Sequence, residues 1–409
     1  MPDAEANALH PVAGQAVGQR DDELPAHASV VIVGGGVMGM SIAFHLAEAG
    51  VRDVLLLDRA AFGSGSTCKA AGGVRAQFSD PLNVQLGARS LEAFERFRER
   101  PGQEIDLHQV GYLFLLNDDS AVTAFEQASS MQRDLGVDSR MVSPAEVAVL
   151  CPLVRTDDLL AAAWTPRDGH CTPESVVLGY ATAARALGAT LRTGVDVTGI
   201  ETAGGAVSGV ATSHGTVRTE TVVCAAGPWS AAVGDMAGVP LPVVPYRRQV
   251  LFTEPVAGLP ERIPMTIDFA TTFYFHGEGR GLLMGMSDPD EPPSFRLDTD
   301  DEWLPRLTAA MGHRAPSLLE VGVTGGWAGL YEVTPDHNAL IGAASTTPGF
   351  LYATGFSGHG FLQAPAVGEV VRDLVLGHEP FVDVTPLSVD RFAGGAGPDE
   401  DARPEVNLV

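Results

Sequence analysis

Residues 29–59, SVVIVGGGVMGMSIAFHLAEAGVRDVLLLDR, constrain the fold more than any other stretch of the chain. Residues 29–33 form a short run rich in β-branched side chains and read as a buried strand. Gly34, Gly36 and Gly39 follow in G-x-G-x-x-G spacing. The spacing of the next apolar residues predicts a helix over 37–49, stopped by Gly50. A second apolar run, 54–57, ends in Asp58, an acid about 20 residues past the glycines. Strand, glycine turn, helix, strand and acid in this order are the fingerprint of a dinucleotide-binding βαβ unit. Gly34 permits the tight turn, Gly36 admits a pyrophosphate close to the backbone, and Gly39 lets helix and strand pack. The N–H groups and positive dipole end of the helix attract the phosphates. Asp58 accepts a ribose hydroxyl and repels a 2′-phosphate. The motif leaves FAD and NAD both open.

The rest of the 409 residues surrounds this unit. The length predicts two intertwined domains, and an apolar content of 45% suffices for a packed core. A net charge of −25 argues against nucleic acid or an anionic membrane as a partner. No apolar run approaches the roughly 20 residues needed to cross a bilayer. The N-terminus shows no basic region followed by an apolar one, so no signal peptide is expected. Cys68, Cys151, Cys171 and Cys224 lack metal-ligand spacing, and the expected location is the reducing cytoplasm.

Further along, Ser64, Ser66 and Thr67 are placed to cap a short helix over 68–71 and aim hydroxyls at a second phosphate. Helical spacing recurs over 81–100, 121–135, 143–150 and 174–187. Strands are expected over 110–116, 190–193, 195–201 and 220–225, with a hairpin over 207–218. From 243 to 286 aromatic and charged residues alternate along antiparallel runs, which reads as an inserted sheet carrying a substrate face. A second strand, glycine turn and helix follows over 350–376, and its N-terminus can face another negative group. The predicted architecture is an α/β fold: a Rossmann-type dinucleotide-binding domain from 28–105, 160–240 and 325–392, and an inserted antiparallel-sheet domain from 106–159 and 241–324. Residues 1–27 are expected to be a loose arm and 393–409 a frayed tail.

The segments VVIVGGGVMGMSIAFHLAEAG, LLLDR, GSTCKAAGG, DGHCTPESV, VVCAAGPWS, GGWAGLYEVTPDHNALIG and GFSGHGF together resemble the D-amino-acid oxidase superfamily of FAD enzymes. The resemblance is nearest to its sarcosine oxidase, glycine oxidase and proline dehydrogenase β-subunit branch. It implies FAD rather than NAD, and oxidation of an amine to an imine that water hydrolyses. It implies that Gly34, Gly36, Val37 and Met38 hold the phosphates and that Asp58 and Arg59 hold the ribose. Ser66, Thr67, Ala71 and Gly72 would lie along the pyrophosphate and flavin, and Val197 against the adenine. Ala225, Gly227 and Trp229 would line the cofactor. Gly358, Gly360, Phe361 and Leu362 would lie at the flavin's pyrimidine edge, where a helix N-terminus stabilises anionic reduced flavin.

Three departures from the family pattern carry expectations. Some relatives attach flavin through a Cys in the segment that is here WAGLYEVTPD; none occurs there, so non-covalent FAD is expected. Tyr331 stands where glycine oxidases carry an Arg for the substrate carboxylate. Leu362 stands where monomeric sarcosine oxidases carry a Lys. Arg75 matches an Arg that clamps carboxylate in sarcosine oxidases, with Arg247 and Arg248 as further candidates. Tyr274, Tyr331 and His359 are the other residues expected at the substrate; packing roles for the tyrosines and a structural role for the histidine compete with that reading. His276 reads as structural and Lys69 as solvated. The expected reaction takes a small-molecule amine or amino acid and O2. A dehydrogenase subunit feeding a partner chain and a non-catalytic flavoprotein are the alternatives. Oligomeric state is left open.

Overall fold

The computed structural model describes residues 23–393. Most of the expected arm and tail therefore lies outside the described residues.

Strand Val30–Val33 is the centre of a six-stranded sheet. It pairs in parallel with Val54–Asp58 on one side and Val222–Cys224 on the other. Thr190–Thr193 and Phe350–Thr354 extend the parallel array, and Leu340–Ala343 closes one edge antiparallel. All four residues of the central strand are buried, which a parallel sheet covered on both faces requires. Side chains alternate along it. Val30 and Ile32 pack under helices Val37–Glu48, Pro173–Ala186 and Gly360–Leu376, whereas Val31 and Val33 pack toward a three-stranded sheet through Ile200, Val210 and Val217. Fully burying each such valine or isoleucine contributes about 1.5–3 kcal/mol relative to exposure.

The glycine turn is fixed by two close approaches. Gly34 has φ +114°, and a Cβ there would lie 2.3 Å from the Ala225 carbonyl oxygen. A Cβ on Gly39 would lie 1.9 Å from the Gly34 carbonyl oxygen, so only glycine lets the first helix sit this close to its strand.

An eight-stranded sheet forms the second layer. Its order is Val323–Val333, Val244–Thr253, Gly281–Met286, Phe273–Glu278, Met265–Asp268, Tyr112–Leu116, Ala161–Thr165, Arg140–Val142. One face packs on helix Leu304–Arg314 through Trp303, Leu307 and Ala310; the other faces the six-stranded unit. One feature differs from expectation. The sheet is mixed, because Met265–Asp268 runs parallel to Tyr112–Leu116. Residues 161–165 and 325–333, grouped by sequence with the dinucleotide-binding segments, hydrogen-bond into this sheet.

The last helix begins at Gly360 rather than near 363, so Gly360, Phe361 and Leu362 belong to its first turn. The expected helix over 68–71 is a single 3-10 turn, Thr67–Lys69.

Candidate active site

The carboxyl ends of the parallel strands open toward the facing side of the eight-stranded sheet, the position where ligands bind in open α/β sheets. A cavity of about 560 Å³ lies between them. Every position named for the dinucleotide lines it: Gly34, Gly36, Val37, Met38, Asp58, Arg59, Ser66, Thr67, Ala71, Gly72, Val197, Ala225, Gly227, Trp229, Gly358, Gly360, Phe361 and Leu362. Arg75, Tyr274, Tyr331 and His359 line the same cavity, as do Lys69 and Arg248. His276 and Arg247 do not.

The dinucleotide side is built from backbone. Asp58 accepts the Gly35 N–H at 2.6 Å and the Ala60 N–H at 2.7 Å, which locks the acid beside the glycine turn. Burial raises its carboxyl above the usual range. The Arg59 guanidinium sits 4.5 Å above the Trp229 ring, and Trp229 stacks on Phe295 at 5.7 Å. Two of the hydroxyls expected to point at a phosphate are engaged elsewhere. Ser64 donates to the Ala61 carbonyl and Ser66 to the Leu330 carbonyl, both at 2.6 Å. Thr67 Oγ1 accepts the Val37 N–H at 3.1 Å. Ser64 and Ser66 therefore brace the loop and the edge strand, whereas Thr67, which only accepts from Val37, keeps its O–H for donation beside the backbone N–H groups.

The opposite wall is one face of the eight-stranded sheet. Arg248 and Val250 alternate inward along their strand. Gly285 lies across from Val250, and Tyr274 across from Gly285; a Cβ on Gly285 would meet the Tyr274 ring. Tyr331 pairs with Tyr246 on the neighbouring strand. Tyr112 and Phe114 continue the same face. Burial raises the phenols of Tyr112, Tyr274 and Tyr331, so all three remain protonated donors at neutral pH.

His359 caps the last helix and is buried, with neither ring nitrogen hydrogen-bonded among the described residues. Burial first, then the charges of Arg75 and His337, lowers it to about 3, so the imidazole is neutral. Arg75 is buried, donates to the Gln77 carbonyl, and stands 4.1 Å over the Phe78 ring.

His276 lies outside the cavity with its two nitrogens 3.0 Å from the Ala71 carbonyl oxygen and 2.9 Å from that of Gly277. This is the structural position expected for it. Arg247 is bound to Glu291 and Asp300 at 2.8 and 2.6 Å, which removes it from the carboxylate-clamp candidates.

Sequence reasoning missed Glu332, a partly buried acid on the cavity wall whose carboxyl is pushed up to about 7 by desolvation. It accepts from Thr354 Oγ1 at 2.8 Å and from the Gly355 N–H at 3.0 Å. A charged residue within the apolar run GLYEV was the available signal.

The donor set fits a dinucleotide. A glycine turn opens one helix beside a buried acid, a second opens the last helix, and polar atoms of His359 and Arg248 on the cavity wall have no partner among the described residues. Fold and cavity together define a two-domain dinucleotide-binding oxidoreductase.

The chain matches the family described as "DAO: FAD dependent oxidoreductase" over residues 29–374, and it belongs to that family. Its cofactor is thus FAD. It is 31% identical over 386 residues to the mitochondrial dimethylglycine dehydrogenase of Rattus norvegicus, covering 89% of this chain and 45% of that one. The chain spans about half the length of that relative. Among solved structures, L-proline dehydrogenase from P. horikoshii superposes with a TM-score of 0.86 at 33% identity, covering 91% of this chain and 99% of that one. Glycine oxidase from Geobacillus kaustophilus superposes with a TM-score of 0.79 at 27% identity, covering 89% and 99%. No helix among the described residues is long and apolar enough to cross a membrane.

Proposed function

We propose that the chain oxidises the C–N bond of a secondary amine or N-substituted glycine-type amino acid to an imine, which water hydrolyses, with O2 reduced to H2O2. The observation that carries this reading is the convergence of Arg75, Tyr274, Tyr331 and His359 on one cavity beside the first turn of the last helix. Names of relatives support the substrate class, since they include dimethylglycine and sarcosine dehydrogenases and 4-methylaminobutanoate oxidase.

Bound FAD, held without a covalent link, supplies the electron acceptor for the amine. The chain's residues position and polarise. Arg75 offers a permanent positive charge to a substrate carboxylate. Tyr274 and Tyr331 offer hydroxyl donors, and His359 offers one N–H and one lone pair without charge. None of these four groups carries a negative charge at neutral pH, so none of them stabilises a bound amine as its ammonium form. The first-turn N–H groups of Gly360, Phe361 and Leu362 would favour negative charge on a group held against them.

A second reading has specific support: the P. horikoshii structure is an L-proline dehydrogenase, and the rat relative is also a dehydrogenase. In that reading electrons pass to a partner rather than to O2. Peroxide release during turnover, compared with reduction of an artificial dye, separates the two. Bleaching of the flavin by N-methylated amino acids or proline tests the shared claim; bleaching by primary D-amino acids alone refutes the substrate class. All four cysteines are unpaired, which supports a reducing compartment such as the cytoplasm.

A further inference from the structure

Arg247 and Arg248 are adjacent in sequence but serve opposite faces of their strand. Arg247 faces the loop after residue 286, where Glu291, Asp300 and the Asp298 carbonyl surround its guanidinium. Arg248 faces the cavity, beside Tyr246 and across from Gly329, over which Lys69 packs. Its guanidinium carbon lies 5.4 Å from the Tyr331 ring centroid and 5.8 Å from that of Tyr246. One terminal nitrogen, Nη1, donates to the carbonyl of Arg247 at 2.9 Å. The other edge is differently placed. Nε is buried without a hydrogen-bond partner, and Nη2 makes no hydrogen bond to any described residue. No carboxylate lies within ion-pair distance of Arg248 among the described residues, although the chain carries 51 Asp and Glu against 26 Lys and Arg.

The Nε–Nη2 edge of a guanidinium presents two parallel N–H donors that match the two oxygens of a carboxylate. An unmatched edge of this kind, with its Nε dehydrated, is costly unless something enters to accept from it. The bond from Nη1 to the main chain and the two flanking rings fix the fork's orientation, so little side-chain freedom remains to be lost on binding. The Tyr331 ring flanks the same guanidinium. We propose that Arg248, through its Nε–Nη2 edge, is the bidentate anchor for the carboxylate of the substrate, with Tyr331 beside it. This inference rests on the reading of the site as one for amino-acid-type amines. It makes Arg248 the residue that separates amino acids from simple amines, whereas Arg75, already bonded to the Gln77 carbonyl, supplies the general positive field.

The test uses the FAD-loaded full chain and its Arg248→Gln and Arg248→Lys variants, each first checked for FAD content by absorbance. Two measurements are made on each. The first titrates acetate and 2-furoate, carboxylates that cannot be oxidised, and reads the perturbation of the flavin spectrum. The second compares anaerobic flavin reduction by N-methylglycine and by its amide. The wild type is expected to bind the carboxylates and to prefer the acid over the amide. Arg248→Gln is expected to weaken carboxylate binding roughly 20-fold or more and to abolish that preference, and Arg248→Lys to recover part of both, since a point charge cannot reproduce the fork. Carboxylate binding lost in Arg248→Gln, with no amine reducing even the wild type, supports the anchor and refutes the proposed reaction. Carboxylate affinity unchanged in an FAD-loaded Arg248→Gln, or no carboxylate binding by the wild type, overturns the proposal. If neither variant retains FAD, Arg248 is a cofactor-site residue and the proposal is likewise overturned.

Discussion

The Tyr331 ring lies directly against Gly358: a Cβ on Gly358 would come within 2.5 Å of Tyr331 Cε2. The contact joins the edge strand of the eight-stranded sheet to the turn that opens the last helix, so the two walls of the cavity meet at this pair. Gly358 also has φ +103°, a conformation that L side chains rarely adopt. Gly358→Ala is therefore expected to lower the melting temperature of the FAD-loaded protein and to weaken FAD retention, with about 1–3 kcal/mol from the backbone alone. Adding Tyr331→Ala removes the steric part, so the double variant should lose less than the sum of the single losses. Thermal melts of the four proteins check this.

Two glycines of the N-terminal turn separate folding from binding. At Gly39 an added methyl would meet the Gly34 carbonyl oxygen at 1.9 Å, inside the helix–strand contact. At Gly36, with φ −75°, it would meet only the Thr67 hydroxyl at 3.2 Å. Gly39→Ala is expected to yield little folded protein. Gly36→Ala is expected to fold, with an apoprotein melt close to wild type, and to bind FAD at least roughly tenfold more weakly, because the methyl faces the phosphate path. Circular dichroism and FAD titration of the apoproteins distinguish them.

Burial of Glu332 sets a pH dependence. Its carboxyl, ordinarily near 4.5, is pushed up to about 7 in the folded protein. Between those values the folded protein keeps a proton that the unfolded chain has released. Stability from this group is therefore full below pH 4.5 and is lost as pH rises through 7, by up to about 1.4 kcal/mol per pH unit within the window. Asp168 acts with the same sign, since burial pushes it from 3.8 to about 7. Glu332→Gln in the apoprotein should flatten the fall in melting temperature between pH 5 and pH 7, and adding Asp168→Asn should flatten it further. An unchanged slope in both variants contradicts the assignment.

The dinucleotide half of the site was legible because its chemistry is local. Gly34, Gly36, Gly39 and Asp58 lie within one βαβ unit, where spacing alone dictates geometry. The late glycine turn was legible for the same reason, except that Gly358 and Gly360 start the helix a turn earlier than its apolar period shows. Sheet membership was not legible. Residues 161–165 and 325–333 carry ordinary strand patterns, and which sheet accepts them depends on partners far away in sequence. The bond that Ser66 makes was not legible, because its acceptor, the Leu330 carbonyl, is invisible until the edge strand is in place. Arg247 and Arg248 looked equivalent in sequence; the two-residue period of a strand separates them only once its faces are known. Glu332 escaped notice because one acid inside an apolar strand also suits a solvent-facing position, and only the folded sheet turns it to the cavity.

Nothing on the cavity wall is suited to a covalent flavin link through sulfur, since no cysteine lines it. Acid precipitation of the FAD-loaded protein should release all of the yellow colour into the supernatant. Colour retained in the pellet contradicts the non-covalent assignment.

One cavity between the two sheets is proposed to hold FAD and to present an amino-acid amine to it. Anaerobic addition of N-methylglycine, N,N-dimethylglycine or proline to the FAD-reconstituted protein, followed by visible flavin absorbance, tests it most directly. Stoichiometric bleaching by at least one of these substrates is expected, with loss of that bleaching in Arg75→Gln and Arg248→Gln. A reconstituted protein that stays fully yellow with all three contradicts it.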